Sequence, residues 1–161
     1  MSVFTEIIAG NIPGRFAWAD DVCVAFGTHE PINDGHMLVV PRQEVAKFTD
    51  LDEETFAHLA VVAQRIGRAQ ELIFGVPRAM VIIAGMEVPH VHLHVIPART
   101  EADIRFENAQ RGVDSAVLDA GVASVREGLI KLGYEEQSRK DPEKANQMRW
   151  MLEKFTVAST I

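Results

Sequence analysis

The stretch Pro89-His90-Val91-His92-Leu93-His94-Val95-Ile96-Pro97 sets three of the chain's six histidines at every second position. In an extended strand successive side chains point to opposite faces. His90, His92 and His94 then share one face, and Val91, Leu93 and Val95 share the other. A single strand histidine is commonly a hydrogen-bonded bystander. Three in register are costly to keep for stability alone, because adjacent imidazoles repel once protonated and each needs its own partner when buried. The row therefore reads as a functional site on an apolar-backed strand.

Two chemistries suit such a row. A neutral imidazole can attack phosphorus, form a phospho-histidine and surrender it to water. Neighbouring rings help by lowering one another's pKa and by hydrogen-bonding the phosphoryl oxygens. The alternative is a zinc or copper site, built from two of the three with His36 or Glu87. The outer Cα atoms of the row lie about 13 Å apart in an extended strand, whereas a Zn–N bond is about 2.0–2.1 Å. Three rings on one strand therefore converge poorly on one ion, and covalent catalysis is the favoured reading.

Working outward, the pattern is α+β, with helices separated from an antiparallel meander. Phe4 to Ala9 reads as an opening helix, and Arg15 to Ala19 and Val22 to Phe26 as strands joined by Asp20-Asp21. His36 to Val40 reads as a third strand. Asp50 with Glu53 resembles a capping box that opens a helix to Phe74, with Leu59, Val62, Ala63, Ile66, Ala69 and Ile73 on one face. Ala79 to Ala84 and His90 to Ile96 are the last strands, linked through Gly85-Met86-Glu87. Leu118, Val122, Val125, Leu129 and Leu132 then recur at helical spacing. The expected division is a catalytic domain over 1–100 and a helical extension over 101–161 packed on it.

Composition narrows the partners. The 161 residues suffice for one domain with a core that needs no disulfide or metal staple. A net charge of −7 argues against a broad basic surface for nucleic acid or anionic lipid. Cys23 is the lone cysteine, which excludes an internal disulfide and fits a reducing compartment. No apolar stretch is long enough to span a bilayer, and the first residues lack the pattern of a signal peptide, so a cytoplasmic location is expected.

His90-Val91-His92-Leu93-His94-Val95-Ile96 resembles the His-φ-His-φ-His-φ-φ signature, φ being apolar, of the histidine triad (HIT) nucleotide hydrolases and transferases. The resemblance extends upstream to Phe4-Thr5-Glu6-Ile7-Ile8 with Ile12-Pro13, to Asp20-Asp21 with Ala25-Phe26, and to Pro31 through Pro41. It implies a HIT-like meander sheet that dimerises, with the long central helix at the interface. It further implies that His92 is the nucleophile on the α-phosphate, oriented by the main-chain carbonyl of His90. His94 and His36 would line the phosphate site. Phe4, Phe26 and Leu38 match apolar positions around a purine, Thr28 stands where many members hold the ribose with an aspartate, and Gly85 opens the loop before the triad.

The family's Gly-Gln-Ser/Thr-Val before the first histidine reads Gly85-Met86-Glu87-Val88-Pro89 here. Glu87 takes the place of a hydroxyl implied to assist the leaving group, and it would serve as a general acid if burial beside Met86 and Val88 raised its pKa. His58, on the central helix, is expected to be solvated. The resulting expectation is a homodimeric hydrolase that cleaves a P–N or P–O bond of a nucleoside phosphate through a phospho-histidine, with no metal or other cofactor. The alternatives are a nucleotide-binding module with little turnover and the zinc or copper site.

Overall fold

The structure, a computed structural model, describes residues 1–138. The last part of the expected extension, 139–161, lies outside them. The elements are α1 (Val3–Ile8), β1 (Phe16–Ala19), β2 (Cys23–Gly27), β3 (Met37–Pro41), α2 (Glu53–Phe74), β4 (Arg78–Ile83), β5 (Leu93–Ala98) and α3 (Ser115–Lys131), with short 3-10 turns between some of them. The strands form one antiparallel sheet in the order β1-β2-β3-β5-β4. This is the α+β antiparallel sheet that the alternating pattern predicts, with one departure from a simple meander: β5, not β4, pairs with β3.

Strand alternation gives the sheet two different faces. Cys23, Ala25, Met37, Val39, Leu93 and Val95 join Leu59, Val62 and Ile66 of α2 and Val122, Val125 and Leu129 of α3 in one core. Val24, Phe26, Leu38 and Val40 point the other way and meet Phe4 and Phe16 in a second, smaller cluster. Ala17 and Trp18 both face the larger core because a bulge between Phe16 and Trp18 breaks the alternation. Each fully buried aliphatic side chain contributes about 1.5–3 kcal/mol, and Leu59, Val62 and Ile66 have no exposed surface. The apolar stripe of α2 is therefore the main anchor of the sheet. Gln70, also fully buried, stitches the helix down by donating to the carbonyls of Gly35 at 2.9 Å and Val95 at 2.8 Å.

Close approach explains two glycines. A Cβ on Gly128 would lie 2.8 Å from the Ala69 carbonyl oxygen, so α3 crosses α2 nearly backbone to backbone. Gly35 adopts φ +81°, and a Cβ there would lie 2.3 Å from the Phe74 ring, so the loop before β3 passes tightly over the end of α2.

Three expectations need correction. The cap of α2 is Asp52, whose extended backbone lets its carboxylate accept the Thr55 amide at 2.8 Å. Asp50 instead closes a 3-10 turn over Phe48–Asp50. The last strand starts at Leu93 and not at His90, since the ladders to β3 and β4 both end there. Pro89 lacks an amide hydrogen, and the His90 amide turns back to the Val88 carbonyl at 2.8 Å, so the triad's first two histidines precede the strand. His58 is not free in solvent, since its Nε2 lies 2.7 Å from an Asp20 carboxylate oxygen. Among the described residues no helix is long and apolar enough to cross a membrane.

Candidate active site

Although His90 and His92 lie outside the ladder, the alternation persists: Val91 packs into the helix-side core with Leu93 and Val95. The three histidines emerge on the opposite side, where the Phe4 ring meets His90 at 5.9 Å and His92 at 5.0 Å between centroids. His92 and His94 stand 4.9 Å apart, ring to ring.

Carbonyl oxygens only accept hydrogen bonds and amide N–H groups only donate them, and this decides each ring's tautomer. His90 Nε2 lies 2.8 Å from the Pro41 carbonyl, so it carries a hydrogen and donates. His92 Nδ1 lies 2.7 Å from the His90 carbonyl, so it too carries a hydrogen. Neutral His92 is thereby left with a bare Nε2. The Ile32 amide donates to His36 Nδ1 at 3.1 Å, so His36 has its hydrogen on Nε2 and donates it to His94 Nδ1 at 2.9 Å. Neutral His94 therefore carries its own hydrogen on Nε2. The outcome is a complementary pair of adjacent rings, one with a free lone pair and one with an N–H.

Electrostatics keeps these rings neutral. Burial lowers the pKa of His36 to about 3, with charge on His94 as a second cause. Burial and then charge on His92 lower that of His94 to about 4. His90 and His92 are also lowered by burial, opposed in part by their bonds to the Pro41 and His90 carbonyls. At neutral pH the bare His92 nitrogen is available to attack.

The same accounting bears on metals. Both ring nitrogens of His90 and of His36 are engaged, as is one each of His92 and His94. The triad thus offers two uncommitted nitrogens, one of them protonated, where a zinc site needs at least three ligands. Asp20, Cys23 and His58 converge elsewhere. Asp20, however, already accepts from the amides of Val22 and Cys23, from Trp18 Nε1 and from His58. Burial alone would raise its carboxyl, but these bonds outweigh burial and hold it below the usual range. Burial pushes the Cys23 thiol well up, so in the metal-free chain it stays protonated. The cluster is a clasp between the first hairpin and α2.

The HIT domain family profile matches residues 9–101. The chain belongs to the histidine triad family. An uncharacterised HIT-like protein of Methanocaldococcus jannaschii is 35% identical over 107 residues, or 64% of this chain and 82% of that protein. The adenosine 5'-monophosphoramidase of Saccharomyces cerevisiae is 33% identical over 100 residues; the match takes in 62% of this chain and 63% of the yeast enzyme, under two thirds of its length. Among solved structures, a zinc-bound histidine triad family protein from Mycobacterium smegmatis aligns with a TM-score of 0.70 at 29% identity, over 81% of this chain and 94% of its own.

Within this HIT fold the other candidates take distinct positions. Phe4, Phe26 and Leu38 are buried together, with Val88 packed against them, and Leu38 pairs with His94 across the ladder. They are core residues that also wall the histidine side of the sheet. Thr28 is half-buried and its hydroxyl caps the Glu30 amide at 3.3 Å. Gly85 lies in the link to the triad with φ +126°. His36, at 3% exposure, is shut away from solvent and holds His94 rather than lining an open site. Glu87 and Met86 are exposed, Met86 to 99%, so the burial that a general acid at Glu87 would draw on is absent in the single chain.

Four contributors escaped the sequence reading. Ser2, Thr5 and Glu44 form a hydrogen-bonded group against His90. Phe106 packs edge-on to His94 at 4.9 Å while remaining 45% exposed. Ser2 caps α1, but nothing local in the sequence connects it to a histidine 88 residues away.

Proposed function

We propose that this chain hydrolyses a nucleoside phosphate at the α-phosphorus, breaking a P–N or P–O bond through a phospho-His92 intermediate. One observation carries the reading: His92, whose Nδ1–H donates to the His90 carbonyl and whose Nε2 is therefore bare, stands beside a His94 ring protonated at Nε2. The His92 lone pair forms the P–N bond as the leaving group departs with its electron pair and takes up a proton from solvent water, to which the proton lost by the attacking water in the second step returns. The His90 carbonyl faces the positive charge that then develops on the His92 ring, stabilising it. His94 N–H hydrogen-bonds a phosphoryl oxygen. Water attacks the phospho-histidine, releasing the nucleotide and restoring the ring. Phe4, Phe26 and Leu38 wall the base side, with Thr28 and Gly85 at the sugar and loop side. Similarity to a yeast adenosine 5'-monophosphoramidase supports a phosphoramidate substrate.

The test is a panel of nucleoside phosphoramidates and dinucleotides, with mass spectrometry of acid-free quenched samples for an adduct at His92. Product release with a labile adduct is expected. Nucleotide binding without product or adduct would instead establish a binding module, a reading that the exposed Met86-Glu87 link favours.

The assembly is proposed to be a two-fold homodimer. β4 is an edge strand with Val81 51% exposed, and α2 leaves Val61 and Leu72 at 43% and 53%. Pairing two copies would cover this apolar surface. Sedimentation at micromolar concentration is expected to report twice the chain mass, and a monomer would overturn the assignment.

A further inference from the structure

The segment that presents the nucleophile is poorly held by the sheet. Both ladders of β5 end at Leu93, and over 90–92, outside the ladders and among the described residues, the backbone amides bond to other backbone groups through His90 N–H to Val88 and Val91 N–H to Val45, each 2.8 Å. Yet the His90 carbonyl must point steadily at His92 Nδ1 for His92 to keep a bare Nε2. What fixes that peptide is the His90 side chain. The ring has no exposed surface and is tied at both nitrogens.

One tie is the Pro41 carbonyl. The other is Ser2 Oγ, 2.6 Å from His90 Nδ1. Because Nε2 already holds the ring's hydrogen, Nδ1 is an acceptor and the Ser2 hydroxyl donates to it. The hydroxyl is itself held in place, since its oxygen accepts the Thr5 amide at 3.1 Å as the cap of α1. The Ser2 amide donates to Glu44 Oε2 at 3.0 Å, and the Thr5 hydroxyl donates to the same oxygen. These bonds hold the Glu44 carboxyl below its ordinary range, so it accepts at neutral pH. The connection runs unbroken from Glu44 through Ser2 and Thr5 to His90 and on to His92.

We infer that the N-terminal turn is a positioning clamp for the nucleophile: Ser2, braced by Thr5 and Glu44, locks the His90 ring and peptide, and the His90 carbonyl in turn selects the His92 tautomer. Ser2 touches no reacting atom and acts only through His90. The inference deepens the hydrolase reading and rests on it for its kinetic consequences, while its structural consequence stands apart from catalysis.

The experiment combines imidazole ¹⁵N NMR, which separates protonated from bare ring nitrogens, with steady-state kinetics on a nucleoside phosphoramidate. In the unaltered protein His90 is expected as the Nε2–H tautomer and His92 as Nδ1–H. Ser2→Ala is expected to mix the His92 tautomers and to lower kcat about 10- to 100-fold, the scale of a small misplacement of a reacting group, with KM nearly unchanged. Ser2→Thr, which keeps the hydroxyl and the cap, is expected to recover most of the loss. A merely structural Ser2 would lower the melting temperature and leave the His92 signals alone.

Wild-type His92 signals in folded Ser2→Ala would overturn the clamp. So would Nδ1–H His90 in the unaltered protein, a measurement that needs no variant to fold. If the unaltered protein hydrolyses nothing, the hydrolase reading fails and the clamp is decided by the tautomers alone.

Discussion

His92→Ala is expected to remove hydrolysis by several orders of magnitude while the protein stays folded. A covalent route has no substitute of similar rate when its nucleophile is deleted, and here no neighbour can step in. His90 is bonded at both ring nitrogens, and the one lone pair of neutral His94 is taken by the His36 N–H. The fold is expected to survive because His92 lies outside the ladder and its ring contacts are with the side chains of Phe4 and His94. Turnover of purified variant and parent, with circular dichroism to check folding, reads the result. Residual activity above about a tenth of the parent's corresponds to a barrier change under about 1.4 kcal/mol and would remove His92 from the role.

Acid is expected to destabilise the protein well above the pH at which its carboxylates titrate. His36 and His94 have folded-state pKa values of about 3 and about 4, against about 6.5 for a free histidine. Between those limits the unfolded chain binds protons that the folded chain excludes, so stability is fully present above about pH 6.5 and is lost as pH falls towards 4. Each ring contributes up to about 1.4 kcal/mol per pH unit. Because His36 donates to His94, the protons enter as a property of the pair. Over two pH units the two rings together cost up to about 5 kcal/mol, comparable with the whole stability of many domains. Burial of His90 and His92 acts in the same direction. Urea midpoints at pH 7, 6, 5 and 4.5 test this. A flat profile would mean that the pair is not closed off from water, and a His36→Gln/His94→Gln variant should lose much of the slope.

The sheet and its two faces were legible because strand alternation and the stripe on α2 are short-range patterns. Val91, Leu93 and Val95 lie on the core side, as does the helix face from Leu59 to Ala69. Element ends were less legible. Asp50 and Asp52 both stand three residues before a helix-compatible partner, and only backbone geometry at Asp52 selects between them. Whether Glu87 is buried was not legible, because apolar neighbours in sequence do not decide what folds over a side chain; Met86 and Glu87 are both exposed.

The histidine row, its apolar backing, the α+β antiparallel pattern and the family are written in the order and spacing of the residues alone. Folding was needed to choose which nitrogen of His36, His90 and His94 carries the hydrogen. Those choices depend on the Pro41 carbonyl, the Ile32 amide and the Ser2 hydroxyl, groups brought to the histidines by folding from 49, 4 and 88 positions away. It alone also set His36 behind His94 and joined His58 to Asp20. An imidazole is donor or acceptor according to the group it faces, and except for the Ile32 amide at His36 and the His90 carbonyl at His92, the groups faced here are long-range products of packing.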